Sequence, residues 1–369
     1  MKALAITPGT TDIALIDRPE PVLTKPNQIK VKVLQVGICG TDREEAAGGR
    51  ADAPAGNTQL VIGHEMFSQV VEVGASVTTA KPGDYGVFMV RRPCGVCPAC
   101  LGRRSDMCET GNYTERGIKG ADGFQQEFVI DDEEFFLPVP AAIKHLGVLT
   151  EPTSVGEKAI DEVVRMQAAR LPHVDAATWL QGKRTLVVGL GPIGLLAVAI
   201  LRLRGAEVLG LDIVDADSIR AHTLVAFGGK YIDGRTTKTL DLDDTFGQID
   251  LIFEATGVAQ LEFDLIDALG INGAYVLTGI PAGDRPVTMQ PGSLVQQMVL
   301  KNQVLLGSVN AGYEHYQMAI EDLEAAYQQF PAAMANIITD QHPYTNFAAA
   351  LAHHGSDEIK CVLEWNEGV

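Results

Sequence analysis

Five of the six cysteines in this 369-residue chain lie between positions 39 and 108, and four of them share one short loop. Cys94, Cys97, Cys100 and Cys108 follow a C-x2-C-x2-C-x7-C spacing. Four soft thiolate donors so close together suit a closed, tetrahedral structural zinc site. A bacterial ferredoxin-type run has a shorter last gap and a proline after its fourth cysteine; here Glu109 follows Cys108. Free thiols or a redox C-x-x-C pair are the other readings. A second constellation is dispersed. Cys39-Gly40-Thr41-Asp42 follows one strand-like run, Gly63-His64-Glu65 ends another, and Glu151-Pro152 opens a long helical pattern. Cysteine, histidine and carboxylate form a mixed donor set, which suits a catalytic zinc with an open position. Asp42 is a candidate to orient the His64 ring from behind. Taken singly, Cys39 reads as a core thiol, His64 as a core histidine and Glu151 as an acid at a helix start. Spacing alone does not bring the three segments together.

Gly189-Leu190-Gly191-Pro192-Ile193-Gly194 is a G-x-G-x-x-G run, and Asp212 stands 18 residues past Gly194. The run follows an apolar strand and opens a helix, the context that a dinucleotide cradle requires. Gly189 makes the tight turn, Gly191 admits the pyrophosphate to the backbone, and Gly194 lets the helix pack on the strand. The helix N-terminus offers free N–H groups to phosphate oxygens. Asp212 is placed to accept hydrogen bonds from ribose hydroxyls. It is followed by Ile213, Val214 and Asp215 rather than arginine, which favours NAD over NADP. The plainer alternatives are a glycine-rich structural turn and an exposed acid at a strand end.

The elements that must position these residues fall into two styles. Residues 1–140 read as short strands between turns: Gln28 to Val36 alternates, and Leu60 to Ile62 and Ser68 to Val73 are strand-like. Val155, Ala159, Val163 and Met166 share a helical face that ends at Leu171-Pro172. From residue 184 to 310 strands and helices alternate, which implies a parallel sheet. Its strands are Thr185 to Leu190, Glu207 to Asp212, Asp250 to Glu254, Gly273 to Leu277 and Val304 to Val309. The pattern then turns helical again and ends in a strand at Lys360 to Glu364. Length favours two domains. The 38 glycines are about 10% of the chain, above the ~7% average, so many turns are expected. Twenty-nine basic against 47 acidic residues give a net charge of −18. That excess disfavours nucleic acid, whose phosphates need clustered Lys and Arg. No run is long and apolar enough for a membrane span or a secretory leader, so a cytoplasmic location with reduced thiols is expected.

The order of these motifs resembles the zinc-dependent medium-chain dehydrogenases: GICGTD at 37–42, GHE at 63–65, the four-cysteine lobe, GLGPIG at 189–194 and EATG at 254–257. Further segments resemble the glucose (aldose) 1-dehydrogenase branch, among them CGTDRE at 39–44, RRPCGVCPACLGRRSDMCETG at 91–111, ERGI at 115–118, DGF at 122–124 and GSVN at 307–310. The resemblance implies an α/β protein. A GroES-like, β-rich catalytic domain over 1–175 would carry the zinc lobe and be completed by 311–369. A Rossmann domain with a doubly wound parallel sheet would occupy 176–310. Cys39, His64 and Glu65 would ligate the catalytic zinc, and Glu151 would do so directly or through water. Thr41 would pass on the substrate proton, with Asp42 supporting His64. Glu115, Glu151 and Asn310 match positions that contact sugar hydroxyls, and Thr41 lies against the same hydroxyl. Gly189, Gly191, Pro192, Ile193, Gly194, Asp212, Thr256, Gly257, Gly279 and Asn310 would line the cofactor. Two zincs per chain, NAD and a homodimer or homotetramer complete the expectation.

One departure is Val155, where some members carry an acid; this leaves the sugar open. The implied reaction is oxidation of an aldose at C1 to its lactone, with hydride passing to NAD. A polyol or secondary-alcohol dehydrogenase is the alternative enzyme. A zinc-ribbon interaction module fused to an NAD sensor is the alternative from another class, and it would leave Cys39 and His64 unexplained. Cys361 reads as core. Arg91 and Arg92 read as structural ion pairs. His353-His354 reads as a solvated helix end or loop, and His145, His173, His222, His315 and His342 carry no assigned role.

Overall fold

A computed structural model describes residues 1–281, 286–352 and 355–365. The pair His353-His354 lies outside these residues. The chain forms two compact units. The first contains Met1–Ser154, Asn310–Glu324 and the segment from Ile338 onward; the second contains Val155–Val309 and Ala325–Ile337. The helix Thr150–Arg170 gives its first residues to one unit and the rest to the other. The contact boundary therefore falls inside this helix, upstream of residue 175, because helical hydrogen bonding runs on where the packing partner changes. Among the described residues no helix is long and apolar enough to cross a membrane.

The first unit is built around the strand Gln28–Ile38, which pairs antiparallel with Glu65–Val73, Phe128–Asp132 and Lys360–Glu364. Its alternation places Val31, Val33, Val36 and Ile38 in the core beside Met66, Val70, Phe88 and Leu363. Lys360–Glu364 pairs in turn with Ile338–Pro343, a strand that sequence periodicity does not announce. ITDQHP carries little apolar alternation because this strand ends the sheet, with residues only half-buried or exposed. A separate three-stranded sheet joins Arg91–Arg92, Thr114–Arg116 and Gly120–Ala121.

The second unit holds a six-stranded parallel sheet among the described residues. Numbered along the chain, its strands Arg184–Val188, Glu207–Asp212, Lys230–Asp233, Ile249–Glu254, Leu269–Leu277 and Val304–Gly307 stand in the order 3-2-1-4-5-6. That is the doubly wound order of a dinucleotide fold. The helix Pro192–Leu203 buries every residue from Gly194 to Leu201. On Thr150–Arg170, Ala159, Ile160, Val163 and Val164 are buried, whereas Val155 and Met166 are half-buried. The apolar face is therefore rotated slightly from the one the spacing predicts.

A charge triad ties the small three-stranded sheet to the larger one. Asp131 on the strand Phe128–Asp132 accepts from Arg92 Nε at 3.2 Å and from Arg116 Nε at 3.0 Å. Arg92 also lies 4.1 Å from the Phe135 ring centre. Burial alone would raise the Asp131 carboxyl, but Arg116 and Arg92 outweigh it and hold its pKa at about 2. Breaking a buried pair leaves an uncompensated charge, so Asp131→Asn should cost roughly 3–5 kcal/mol at pH 7. A depressed carboxyl pKa stabilises the fold above its unfolded value of ~3.9 and stops doing so as pH falls through the folded value. Urea denaturation should therefore show the gap between wild type and variant narrowing from pH 4 toward pH 2. An equal gap at both pH values would contradict the triad.

Candidate metal centre and cofactor cradle

Cys39 caps the helix Gly40–Ala46. Its Sγ accepts from the Thr41 N–H at 3.1 Å, and its own N–H donates to Asp42 Oδ2 at 2.8 Å. This reciprocal cap fixes the thiol at a helix N-terminus, where negative charge is favoured. His64 follows a turn at Gly63, whose φ is +88°, and Glu65 begins the strand Glu65–Val73. Cys39 Sγ stands 3.0 Å from His64 Nε2, and one ligand atom each from Cys39, His64 and Glu65 lie within 4.8 Å of one another. His64 Nδ1 faces Asp42 Oδ1 at 3.7 Å.

The Glu65 carboxylate is tightly confined. Gly37 lies opposite it in the sheet, and a Cβ there would fall 2.0 Å from Glu65 Oε2. From behind, the Lys360 ammonium pairs with the same oxygen and donates to the Ile38 carbonyl at 3.1 Å. Burial opposes a charge on His64, yet the Cys39 sulfur and Asp42 raise its pKa well above the usual value. The surroundings thus favour positive charge at the imidazole. A convergent S, N and O set in that field fits a divalent zinc, and three protein donors leave a fourth position for substrate.

Glu151 is buried but does not join this group at 4.8 Å. Burial raises its pKa to about 7, offset in part by His64. Two buried groups escape the sequence reading. Glu45 lies three residues beyond Asp42 on the same short helix, with neither carboxylate oxygen hydrogen-bonded and its pKa pushed to about 9, chiefly by burial. The other is Lys360. Helical spacing from Asp42 is a signal for the first; nothing local marks Lys360.

The four cysteine sulfurs of the lobe also lie within 4.8 Å of one another. Cys97 caps the short helix Pro98–Leu101 and accepts from the Cys100 N–H at 3.4 Å. None of the cysteines is in a disulfide. Hydrogen bonds from Thr110 and nearby backbone lower the Cys94 thiol to about 5, whereas burial raises Cys100 to about 12. Four sulfurs at this range become thiolates together only around a cation, so the loop fits a structural zinc.

Glu115 stands on the strand Thr114–Arg116. Asn310, in left-handed conformation at φ 61°, donates its side-chain amide to Glu115 Oε1 at 2.9 Å. Two of the residues expected at sugar hydroxyls, Glu115 and Asn310, are thus in contact.

In the second unit Gly189 turns the chain at φ 87° after the strand Arg184–Val188. Gly191 caps the helix begun by Pro192 and Ile193, and a Cβ on it would meet nothing within 4 Å. A Cβ on Gly194 would lie 1.9 Å from the Gly189 carbonyl oxygen. The second glycine thus faces open space and the third closes the packing. Asp212 accepts from the Leu190 and Ile213 N–H groups, each at 2.6 Å. A carboxylate offers about four lone-pair sites, so acceptor capacity remains for ribose hydroxyls. Glu254 gathers Thr256 and Gly257 by accepting from both backbone N–H groups. A Cβ on Gly279 would stand 2.2 Å from the Gly257 nitrogen. Arg235, which sequence reading passed over, donates to Asp233 at 2.9 Å and to Asp215 at 2.7 Å.

Comparison with known proteins places this architecture. Residues 25–141 match the alcohol dehydrogenase GroES-like domain, and residues 144–365 match the glucose dehydrogenase C-terminus. The chain is 37% identical over 366 residues to a glucose 1-dehydrogenase of Vulcanisaeta moutnovskia, covering 99% of both chains. It is 34% identical over 368 residues to the glucose 1-dehydrogenase of Methanocella arvoryzae, again covering 99% of both. The structure of Haloferax mediterranei glucose dehydrogenase in complex with NADP, Zn and gluconolactone is similar at a TM-score of 0.88 and 32% identity, over the whole of both chains. With full-length matches in sequence and structure, the chain belongs to the glucose dehydrogenase branch of the zinc-dependent medium-chain dehydrogenases.

Proposed function

We propose that this chain is a zinc-dependent aldose 1-dehydrogenase that oxidises the C1 hydroxyl of a sugar such as D-glucose to the aldonolactone, using NAD in preference to NADP. The observation that carries the reading is the convergence of Cys39, His64 and Glu65 within 4.8 Å. The sugar is supported by the relatives, one of which is described with gluconolactone bound. Cys39, His64 and Glu65 would hold a zinc, which would supply Lewis acidity toward a hydroxyl oxygen, and a bound nicotinamide would supply the hydride acceptor.

The chain's own residues have distinct tasks. Asp42 keeps the His64 ring turned toward Cys39. Thr41, in the first turn after Cys39, takes and passes on the hydroxyl proton. Glu151 either adds a donor to the metal group or contacts a sugar hydroxyl. Glu115 and Asn310 accept and donate to the remaining hydroxyls. Cys94, Cys97, Cys100 and Cys108 would hold a second zinc, which would tie the lobe together. The cofactor preference rests on charge: Asp212, Asp215 and Asp233 outnumber Arg235 at this end of the sheet, which opposes a 2′-phosphate. Assembly as a homodimer or homotetramer in the cytoplasm belongs to the same reading.

Purified protein should contain close to two zincs per chain by elemental analysis. Cys39→Ser should lose one zinc and nearly all activity while remaining folded. Cys97→Ser should melt at clearly lower temperature, because structural zinc is coupled to folding. A wild-type content of one zinc, unchanged by Cys39→Ser, contradicts the assignment.

At equal subsaturating concentrations, turnover should be faster with NAD than with NADP. Asp212→Asn combined with Ile213→Arg should narrow that ratio, since it removes a repulsive charge and adds an attractive one. Faster wild-type turnover with NADP defeats the role given to Asp212.

Glu115→Ala should lower kcat/KM for the sugar by roughly 10- to 100-fold, the range for a charged hydrogen bond of ~1.5–3 kcal/mol. The product should be an aldonolactone that hydrolyses to the aldonic acid. A ketose formed from a polyol, with no turnover of any aldose, would overturn the proposal.

A further inference from the structure

Arg91 is 4% exposed and stands opposite Glu115 in the antiparallel pairing of their two strands. Directly paired residues project to the same face of a sheet. The guanidinium is consequently brought onto the Glu115 carboxylate: Nε donates to Oε1 at 3.1 Å and Nη2 donates to the same oxygen at 2.8 Å. Asn310 supplies a third donor to Oε1. Among the described residues no donor meets Oε2. One oxygen is saturated and the other remains an acceptor.

Arg91 is itself immobilised from three sides. Its Nη1 donates to the Asp106 carbonyl at 2.9 Å and reaches the Ser105 carbonyl at 3.5 Å. Both carbonyls belong to the single helical turn Ser105–Met107, immediately before Cys108 of the four-cysteine lobe. The Asp106 side chain is gripped by Arg104 at 2.8–3.2 Å. The Tyr113 ring centre lies 3.8 Å from the guanidinium carbon, and Lys119 stands 4.1 Å from the same ring centre. A planar fork of five donors can meet a carboxylate and two carbonyls together, which an ammonium on a flexible stem cannot do.

We infer that Arg91 is a positioning residue for sugar recognition, fixing Glu115 by one oxygen so that the other is presented to a substrate hydroxyl. The inference rests on the sugar-binding role proposed for Glu115. Its lever is orientation: a carboxylate free to rotate must be ordered when substrate binds, and that cost reduces affinity. Arg91 touches no reacting atom, so its removal should act on binding rather than on the hydride step.

The test compares Arg91→Lys, Glu115→Gln and the double variant in zinc-loaded enzyme. Three quantities are read: the Kd for D-glucose by calorimetry, KM and kcat for glucose, and the Kd for NADH by fluorescence. Arg91→Lys should raise the glucose Kd and KM by about 10-fold or more, with kcat within about threefold of wild type. NADH affinity should be unchanged. The double variant should bind glucose no worse than Glu115→Gln alone, because residues acting through one contact are non-additive. Should Arg91→Lys fail to fold, Arg91→Gln keeps a planar amide and is held to the same criteria. Glucose binding at wild-type strength in the Arg91 variant, alongside weakened binding in Glu115→Gln, overturns the inference and spares the role of Glu115. Wild-type binding in Glu115→Gln removes that role and the inference with it. Parallel losses in kcat, NADH affinity and thermal stability show a merely structural arginine and also overturn it.

Discussion

A half-buried thiol, a buried imidazole and a buried carboxylate face one another with Lys360 behind them, and this concentration of donors governs the architecture around it. Grouped anionic donors repel unless a cation sits among them, and burial amplifies the repulsion. The fold answers in several ways. Cys39 is placed at a helix N-terminus, Glu65 is backed by Lys360, and Gly37 clears the space that the Glu65 carboxylate occupies. Gly37 and Cys39 belong to one contiguous segment, whereas Lys360 comes from the far end of the chain. The long strand Gln28–Ile38 holds them in register, since it carries Gly37, leads into Cys39 and pairs with the strands of both Glu65 and Lys360.

The same reasoning explains why so many arginines cluster beside the small three-stranded sheet. Short strands provide few ladder hydrogen bonds, and Arg91–Arg92, Thr114–Arg116 and Gly120–Ala121 are two or three residues long. Ion pairs substitute for the missing length. Arg92 and Arg116 converge on Asp131 and bind this sheet to the larger one, while Arg91 turns to Glu115 and the lobe backbone. Neighbouring arginines in one two-residue strand thus serve opposite faces, as alternation in a strand requires. The four-cysteine loop, remote in sequence from Asn310, meets the same carboxylate through Arg91.

Features fixed by contiguous residues were legible in the sequence. The strand Glu207–Asp212 places its last residue at the turn where a ribose acceptor is needed, and the glycine run falls between strand and helix as its spacing predicts. The four-cysteine lobe is equally local. Residues whose meaning depends on distant partners were hard to read. Lys360 lies within an apolar strand, and only its sheet neighbours reveal the carboxylate that accounts for a buried ammonium. Ile338–Pro343 lacks alternation because an edge strand need not bury one face. Glu151 illustrates the converse. Its type and position invite inclusion among the metal ligands, yet its carboxylate stands outside the close group formed by Cys39, His64 and Glu65.

The end of the parallel sheet adds a further consequence of charge placement. The motif argument for the cofactor looks only at residues immediately after Asp212 and finds no arginine. The adjacent parallel strand brings Arg235 toward that turn, where it donates to Asp233 and Asp215. Its guanidinium therefore arrives already paired. For a 2′-phosphate to recruit more than its one uncommitted Nη1 hydrogen, at least one of those bonds must be given up, and the freed carboxylate would then face the incoming dianion alongside Asp212. A ribose hydroxyl asks for no such exchange, because Asp212 can accept from it while keeping its two backbone donors. The NAD preference we propose thus depends less on whether an arginine is present than on whether its partners can spare it.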